Sequence, residues 1–378
     1  MSNTVAAMRI WGGIAWGLVW LSLAAAGCDR QPPPGSVAAA ESGAATADDD
    51  SAVRAPAEHD REGLLVAVLP LGASPVIDGD TIRVEGLDDA VRLLSIDTEE
   101  TFHGKADRAA AAKDFQAYLR RKRGDSPRPV KAGTPMGEEA KRFTQAFFED
   151  VELVRLERDH KKEIRGHYGR LLAHAIVQKE GRWVPYNLEC VRAGMSPYFT
   201  KYGYSNRFHK DFAAAEAEAR DAQRGIWNPA AQGYGDYEER RAWWNARAEF
   251  IRAFEHEASG RDDYIELSHW DAEARLEEAL GREVAVLSTI DRIRHFKTLV
   301  KVELAAPDEA RFPVIFFDKD VFRRSAIERY DKEPVVVRGE VERYQKGSYS
   351  TLQIVVRDAA QVTLPTLPEP RSGRLATD

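Results

Sequence analysis

Alternation of apolar and polar residues along the chain predicts a series of short β-strands that begins at Leu64. Gly, Pro or Asp separates the first three, which predicts a meander. The predicted strands are 64–72, 75–86, 90–97, 151–158 and 169–178, with 180–186 continuing the last into a hairpin. Five strands with an intervening helix predict a small barrel.

Segments with helical spacing lie between and after these strands. The predicted helices are 105–123, 137–150, 187–194 and 207–227. The following stretch, 229–282, also has helical spacing and contains many acids and three tryptophans. It is too aromatic for a free linker, so we predict a helical connector.

The stretch 281–364 is again rich in strands, and a predicted helix at 318–330 precedes the fourth of five. This order predicts a second small Greek-key barrel of the oligonucleotide-binding type. The expected fold class is therefore a β-rich α+β protein with two five-stranded barrels. The predicted divisions are 1–28 (signal segment), 29–62 (disordered tether), 63–228 (first domain), 229–282 (acidic connector), 283–366 (second barrel) and 367–378 (disordered tail).

The first 28 residues have the pattern of an export signal: Arg9, an apolar run over 10–26, and LAAAGC ending at Cys28. This resembles a bacterial lipoprotein signal, although Ala25 stands where such signals usually have leucine. We expect lipidation of Cys28 and a membrane anchor on the extracytoplasmic side, periplasmic or at the cell surface. An uncleaved membrane anchor is the alternative. Cys190 then has no partner for an internal disulfide and is expected to be a core residue.

The charge of the chain is unevenly distributed. The net charge is −7, and the stretch 236–281 alone holds 13 Asp and Glu against 6 Lys and Arg. The predicted barrels on either side are therefore close to neutral. Because the acidic balance is local, it does not exclude nucleic acid as a partner of either barrel.

Acidic residues stand at the ends of two adjacent predicted strands. Asp78 and Asp80 flank the glycine of a tight turn, and Asp97 and Glu100 follow the next strand. Carboxylates that converge there need a positive partner, and a donor set made only of oxygen favours calcium or magnesium over zinc or copper. We expect Asp78 to support the turn.

Two arginines lie near this acidic set in the predicted barrel. Arg92 precedes Asp97 by five residues, so the two side chains point to opposite faces unless the strand bends. Arg170 begins a later strand, after a turn marked by glycine. Paired guanidinium groups suit a phosphodiester, and Glu100 could order or deprotonate an attacking water.

The motifs VIDGDTIRV, VRLLSIDTEE, HYGR, NLECVRAG and AEARDAQRGIW occur in this order, and together they resemble the staphylococcal nuclease family across residues 64–228. The resemblance implies that Asp80, Asp97 and the carbonyl of Thr98 bind calcium, with magnesium as the alternative. It implies catalytic roles for Arg92, Glu100 and Arg170. The implied reaction is hydrolysis of DNA, and of RNA as a second candidate substrate, to 3′-phosphate and 5′-hydroxyl ends.

The sequence departs from the family in three places. Glu99 replaces a proline, which we expect to loosen the turn and to place a further carboxylate near the metal. His167 replaces a lysine near the terminal phosphate, which leaves the preference for chain ends open. The region 101–134 is longer than the family's loop, and its basic part, 120–131, is either a track for phosphates or a solvated loop.

Several aromatic residues are candidates for stacking on bases. Tyr168, Tyr202 and Tyr204 match the family approximately, with ordinary loop packing as the alternative. Phe296, Tyr344 and Tyr349 lie near basic residues of the second barrel, which is therefore either a nucleic-acid-binding or a partner-binding module. For the whole chain, the rival to an enzyme is a catalytically inactive scaffold that binds nucleic acid or protein.

Overall fold

The computed structural model describes residues 63–369, so the predicted signal segment, with Cys28, and the tether lie outside the described residues. No helix within 63–369 is long and apolar enough to cross a membrane. The strands of the first sheet are β1 (Leu65–Pro70), β2 (Val76–Asp78), β3 (Thr81–Ile82), β4 (Val91–Leu93), β5 (Leu153–Glu157), β6 (Leu172–Lys179) and β7 (Arg182–Pro185).

The first sheet closes on itself. Its order is β1-β5-β6-β4-β3-β2, with β7 added beside β6. Strands β1 and β2 are successive parts of one broken strand, and the Glu85 N–H donates to the carbonyl of Pro70 at 3.0 Å across the closure. The segment 75–86 is a hairpin and not one continuous strand, and its reversal at Gly79 lies where the acid-flanked glycine predicts a tight turn.

The second sheet contains β8 (Tyr264–Glu266), β9 (Glu283–His295), β10 (Val300–Ala305), β11 (Arg311–Phe316), β12 (Pro334–Lys346), β13 (Tyr349–Val355) and β14 (Val362–Thr363). The first half of β9 pairs with β12 and its second half pairs with β10, which closes a ring of β9, β10, β11, β13 and β12. In both sheets the third and fifth barrel strands pair in parallel, as β4–β6 and β11–β13. The predicted β-rich α+β class is confirmed, and both sheets are consistent with oligonucleotide-binding-type barrels.

The helices are α1 (Lys105–Lys113), α2 (Phe115–Arg123), α3 (Pro135–Phe148), α4 (Tyr186–Arg192), α5 (His209–Asp221), α6 (Tyr237–Ala258), α7 (Ala272–Glu278) and α8 (Lys319–Ser325). The single helix predicted over 105–123 is wrong, because Asp114 leaves the helical conformation and its side chain accepts from the N–H of Ala117. Thr134 caps α3 in the same way, and Pro135 occupies its first turn. Cys190 is buried in α4, as expected.

Helix α6 joins the two barrels. Helices α6 and α7 fill most of the predicted connector, but the stretch between them also supplies β8, which pairs in parallel with β9. Ile251 and Phe254 of α6 pack with Tyr264, Leu287 and Val336 of the second sheet. The N-terminal half of α6 contacts the first barrel, where Trp244 packs edge-on against Phe199 with ring centroids 4.8 Å apart. The connector is therefore a packed element with contacts on both sides.

Candidate active site

The β2–β3 turn places Asp80 inside the first barrel. The Asp78 carboxylate accepts from the N–H of Asp80 at 3.2 Å, across the glycine of the turn. A Cβ at Gly79 would lie 2.6 Å from the methyl group of Thr98, so only glycine fits there. Asp80 in turn accepts from the N–H of Thr98 at 3.1 Å and from the hydroxyl of Thr81 at 2.9 Å. These bonds tie the turn to the segment that carries Asp97 and Thr98.

A bend after β4 brings Arg92 and Asp97 together. Ser95 has a φ of 62°, and the chain turns there so that Arg92 donates to Asp97 at 2.7 Å and forms an ion pair with Asp80. Burial would raise the pKa of Asp80, but Arg92 and then Lys131 hold it below its ordinary value. Burial and the neighbouring Asp80 raise the pKa of Asp78 to about 6.

Lys131 is a site residue that sequence reasoning did not single out. Its Nζ lies 2.8 Å from Asp97 Oδ1 and 3.0 Å from Glu100 Oε1. It is the last residue of the basic segment 120–131, whose other members make different contacts: Arg123 pairs with Asp236 and Glu239, at 3.2 and 2.8 Å. Part of the predicted basic loop is thus anchored to the chain near α6 instead of being free in solvent.

Glu99 does not face Asp80 and Asp97, so the expectation that it places a further carboxylate beside a bound metal is wrong. Its side chain points into the protein and is 1% exposed. It accepts from the hydroxyl of Thr134, from the N–H of Tyr234 at 2.6 Å and from the hydroxyl of Tyr237 at 2.7 Å. Burial raises the pKa of Glu99, and these three donors oppose the shift. Glu99 therefore fixes the turn to α3 and α6 instead of loosening it.

The other predicted residues line one cleft of about 580 Å³ beside this acidic set. Arg170 is exposed at its wall and, within 63–369, makes no salt bridge or side-chain hydrogen bond. Tyr168 and Tyr202 are exposed there as well. Tyr204 differs, because its hydroxyl donates to Glu249 of α6 at 2.8 Å and its ring is partly buried. The cleft thus brings together Arg92, Asp97, Arg170 and the three tyrosines.

Residues beyond the first barrel hold the two loops that carry these groups. His167 Nδ1 lies 2.7 Å from the carbonyl of Ala306, and the N–H of Glu309 donates to the carbonyl of His167 at 2.7 Å. These contacts pin the turn that presents Arg170 to the second barrel. Arg247 of α6 donates to the carbonyl of Lys201 at 2.9 Å and so fixes the loop of Tyr202.

The chemistry of the donor set suits the cation that the resemblance implies. Asp80 and Asp97 are both buried, and with Thr98 they offer only oxygen ligands, which suits a hard cation such as calcium. Two cationic side chains, Arg92 and Lys131, already contact these carboxylates. The residues present therefore fit a divalent cation, which must share the acids with both side chains.

A second group of candidate ligands lies at the junction of the two barrels. Glu163, Glu266 and His269 bring their ligand atoms within 4.8 Å of one another. The Ser268 hydroxyl oxygen lies 3.1 Å from an oxygen of each carboxylate, and burial raises the pKa of Glu163 to about 7 and that of Glu266 to about 8. The sequence alone does not single out this group, because Glu163 comes from a segment far from Glu266 and His269 in the chain.

Comparison with known families places this site. Residues 90–229 match the family model of staphylococcal nuclease homologues. Residues 90–229 form a staphylococcal nuclease domain. The match includes Arg92, Asp97, Glu100 and Arg170, and the structure adds Asp80 from the hairpin that precedes it. No curated protein matches the chain. The assignment of the nuclease domain therefore rests on the family match together with the convergence of these side chains.

Proposed function

We propose that the nuclease domain is a calcium-dependent phosphodiesterase that hydrolyses DNA, with RNA as a second candidate substrate, to 3′-phosphate and 5′-hydroxyl ends. The observation that carries this proposal is the convergence of Asp80, Arg92, Asp97 and Glu100 beside a cleft whose wall presents Arg170. A binding module has no need of this whole set.

Each residue has a role that its position supports. Asp80, Asp97 and the carbonyl of Thr98 would hold calcium, which when bound supplies positive charge beside the phosphate. Arg92 and Arg170 bind phosphate oxygens and stabilise the charge that develops during attack. Glu100, at the edge of the acidic set, orders the attacking water and accepts its proton. Tyr168 and Tyr202 offer exposed rings on which bases stack.

The first test is cleavage of single-stranded DNA, double-stranded DNA and RNA by the wild-type protein and by Glu100→Gln. Loss of the general base should lower the rate by about 100-fold to 10,000-fold. Glu139→Gln, on the exposed face of α3, is the matched control and should leave the rate unchanged. End-group analysis of the products should find 3′-phosphates.

The same panel decides between the enzyme and the scaffold. A folded wild-type protein that binds the three nucleic acids without cleaving any of them would replace the nuclease with the scaffold. Cleavage that Glu100→Gln leaves intact would remove Glu100 from the mechanism.

We propose that the second barrel contributes to nucleic-acid binding. Phe296, Tyr344 and Tyr349 are exposed, and the last two lie 6.3 Å apart between ring centroids on the β12–β13 hairpin. Replacing all three with alanine in the full chain should weaken binding of single-stranded DNA in a gel shift, since stacking contributes about 1–3 kcal/mol per base. Unchanged affinity would favour the partner-binding role instead.

We also propose that the protein is exported and anchored to a membrane through a lipid on Cys28, because of the signal pattern described above. Mass spectrometry of the mature N-terminal peptide should find acyl chains on Cys28, and Cys28→Ser should release the protein from the membrane fraction. A mature N-terminus without lipid, still attached to membranes, would support the uncleaved anchor.

A further inference from the structure

The main chain around Lys131 is held in place by bonds that do not involve its side chain. The N–H of Ala132 donates to the hydroxyl of Tyr234 at 2.9 Å, and that hydroxyl donates to the carbonyl of Ala132 at 2.8 Å. Gly133 forms a β-bridge with Glu100, and the N–H of Thr134 donates to the carbonyl of Glu100 at 3.0 Å. The backbone thus delivers Lys131 to the acidic set, while its side chain, 47% exposed, keeps room to move.

The ammonium group of Lys131 lies among the oxygens that a divalent cation would need. Its Nζ contacts Asp97 Oδ1, the same oxygen that accepts from Arg92, and it also contacts Glu100. Asp80, Asp97 and Glu100 carry three negative charges, and Arg92 and Lys131 carry two positive charges that offset them in part. A divalent cation added beside Lys131 would therefore meet an ammonium group at close range, and like charges at that distance repel.

We propose that Lys131 is an internal cation that competes with the divalent metal for Asp97, while its second contact is with Glu100. Without metal, Lys131 balances the buried acids and keeps the site assembled. When metal binds, Lys131 leaves Asp97. Its ammonium group is then free to pair with the incoming phosphodiester, which carries a single negative charge. This inference rests on the proposed calcium-dependent function.

Calcium titration by calorimetry, with no nucleic acid present, tests the competition directly. Lys131→Met removes the charge and keeps the length of the side chain, so calcium should bind about tenfold more tightly, or ~1.4 kcal/mol. Lys131→Arg should restore the wild-type affinity because it restores the charge. Lys113→Met, an exposed lysine of α1, is the control and should bind calcium like the wild type.

Thermal unfolding gives a second, independent readout. Without metal, Lys131→Met should melt at a lower temperature than the wild type, since Asp97 and Glu100 lose a positive partner. In saturating calcium the two melting temperatures should converge. With calcium present, the salt dependence of DNA binding by Lys131→Met should have a log–log slope smaller by about 1 than the wild type, because one phosphate contact is lost.

The outcomes separate this inference from the proposed function. If the wild type binds calcium and Lys131→Met binds it no more tightly, the competition is refuted and the calcium site stands. If Lys131→Met binds calcium and the wild type does not, the competition is confirmed in its strongest form. If neither protein binds calcium, both the competition and the calcium site are wrong.

Discussion

The buried ion pair between Arg247 and Glu333 yields the prediction with the largest expected effect on stability. Arg247 is 0% exposed and joins three parts of the chain: it lies on α6, donates to the carbonyl of Lys201 at 2.9 Å, and donates to the carbonyl of Lys332 at 3.0 Å. It also pairs with Glu333, whose side chain is 7% exposed. Arg247→Met removes all of these bonds and leaves the Glu333 carboxylate buried.

The expected cost follows from what remains around Glu333. Trp243 Nε1 still donates to it at 2.9 Å, and Arg128 lies 3.8 Å away, so the carboxylate keeps one hydrogen bond and one distant charge. Breaking a buried pair from one side typically costs about 3–5 kcal/mol. Replacing both partners removes the orphaned charge, so Arg247→Met with Glu333→Met should cost less than Arg247→Met alone.

Urea unfolding followed by tryptophan fluorescence measures these differences, because Trp243 and Trp244 lie on the same helix. Arg252→Met is the matched control: Arg252 pairs with Glu249 on an exposed face of α6, and its loss should cost less than about 1 kcal/mol. A cost below about 1 kcal/mol for Arg247→Met, or a double variant whose cost equals the sum of the single ones, would show that the two side chains are not an energetically coupled buried pair.

Three further predictions concern other contacts. Glu99→Ala should lower the free energy of unfolding by about 3 kcal/mol, because it leaves the donors of Thr134 and Tyr237 without their acceptor; an unchanged urea midpoint contradicts this. His167→Ala should lower kcat by about tenfold to 100-fold with calcium affinity unchanged, because the turn that carries Arg170 loosens. His167→Gln should recover part of the rate. A normal kcat for His167→Ala would show that the contact with the second barrel does not position Arg170. Burial raises the pKa of Asp159, but bonds from His174, Ser205 and Asn206 lower it to about 2. Because the folded pKa lies below the ordinary value, the stability that the ionised Asp159 contributes is complete above about pH 4 and is lost as the pH falls toward 2. Asp159→Asn should therefore flatten the fall in melting temperature over that range. An unchanged slope of melting temperature against pH would contradict this role of Asp159.

The sequence was informative wherever one local pattern decides the structure. Alternation found the strands of both barrels, and the acid-flanked glycine located the turn of Asp80 because few residues fit there. A straight strand would place the side chains of Arg92 and Asp97 on opposite faces, so the sequence predicts their contact only if the strand bends. The bend at Ser95 produces this contact, and the sequence gives no sign of it because the residue with the positive φ is a serine and not a glycine.

Contacts between distant segments explain what the sequence did not reveal. The sequence places Glu99 beside the other acids and therefore predicts that it faces the metal. Its actual partners, Tyr234 and Tyr237, are more than a hundred residues away, and no local pattern points to them. Lys131 was visible only as one member of a basic run, and the β-bridge between Gly133 and Glu100 selects it from that run. The strand β8 in the connector is likewise defined by its pairing with β9.

The dependence of cleavage on calcium is measured as the cleavage rate of a single-stranded DNA oligonucleotide in calcium, then after addition of excess chelator, then after calcium is restored. A nuclease that holds calcium at Asp80 and Asp97 should cleave in calcium, stop in chelator and recover when calcium returns. Cleavage that continues at an unchanged rate in chelator, or a folded protein that does not cleave in calcium, would contradict this expectation.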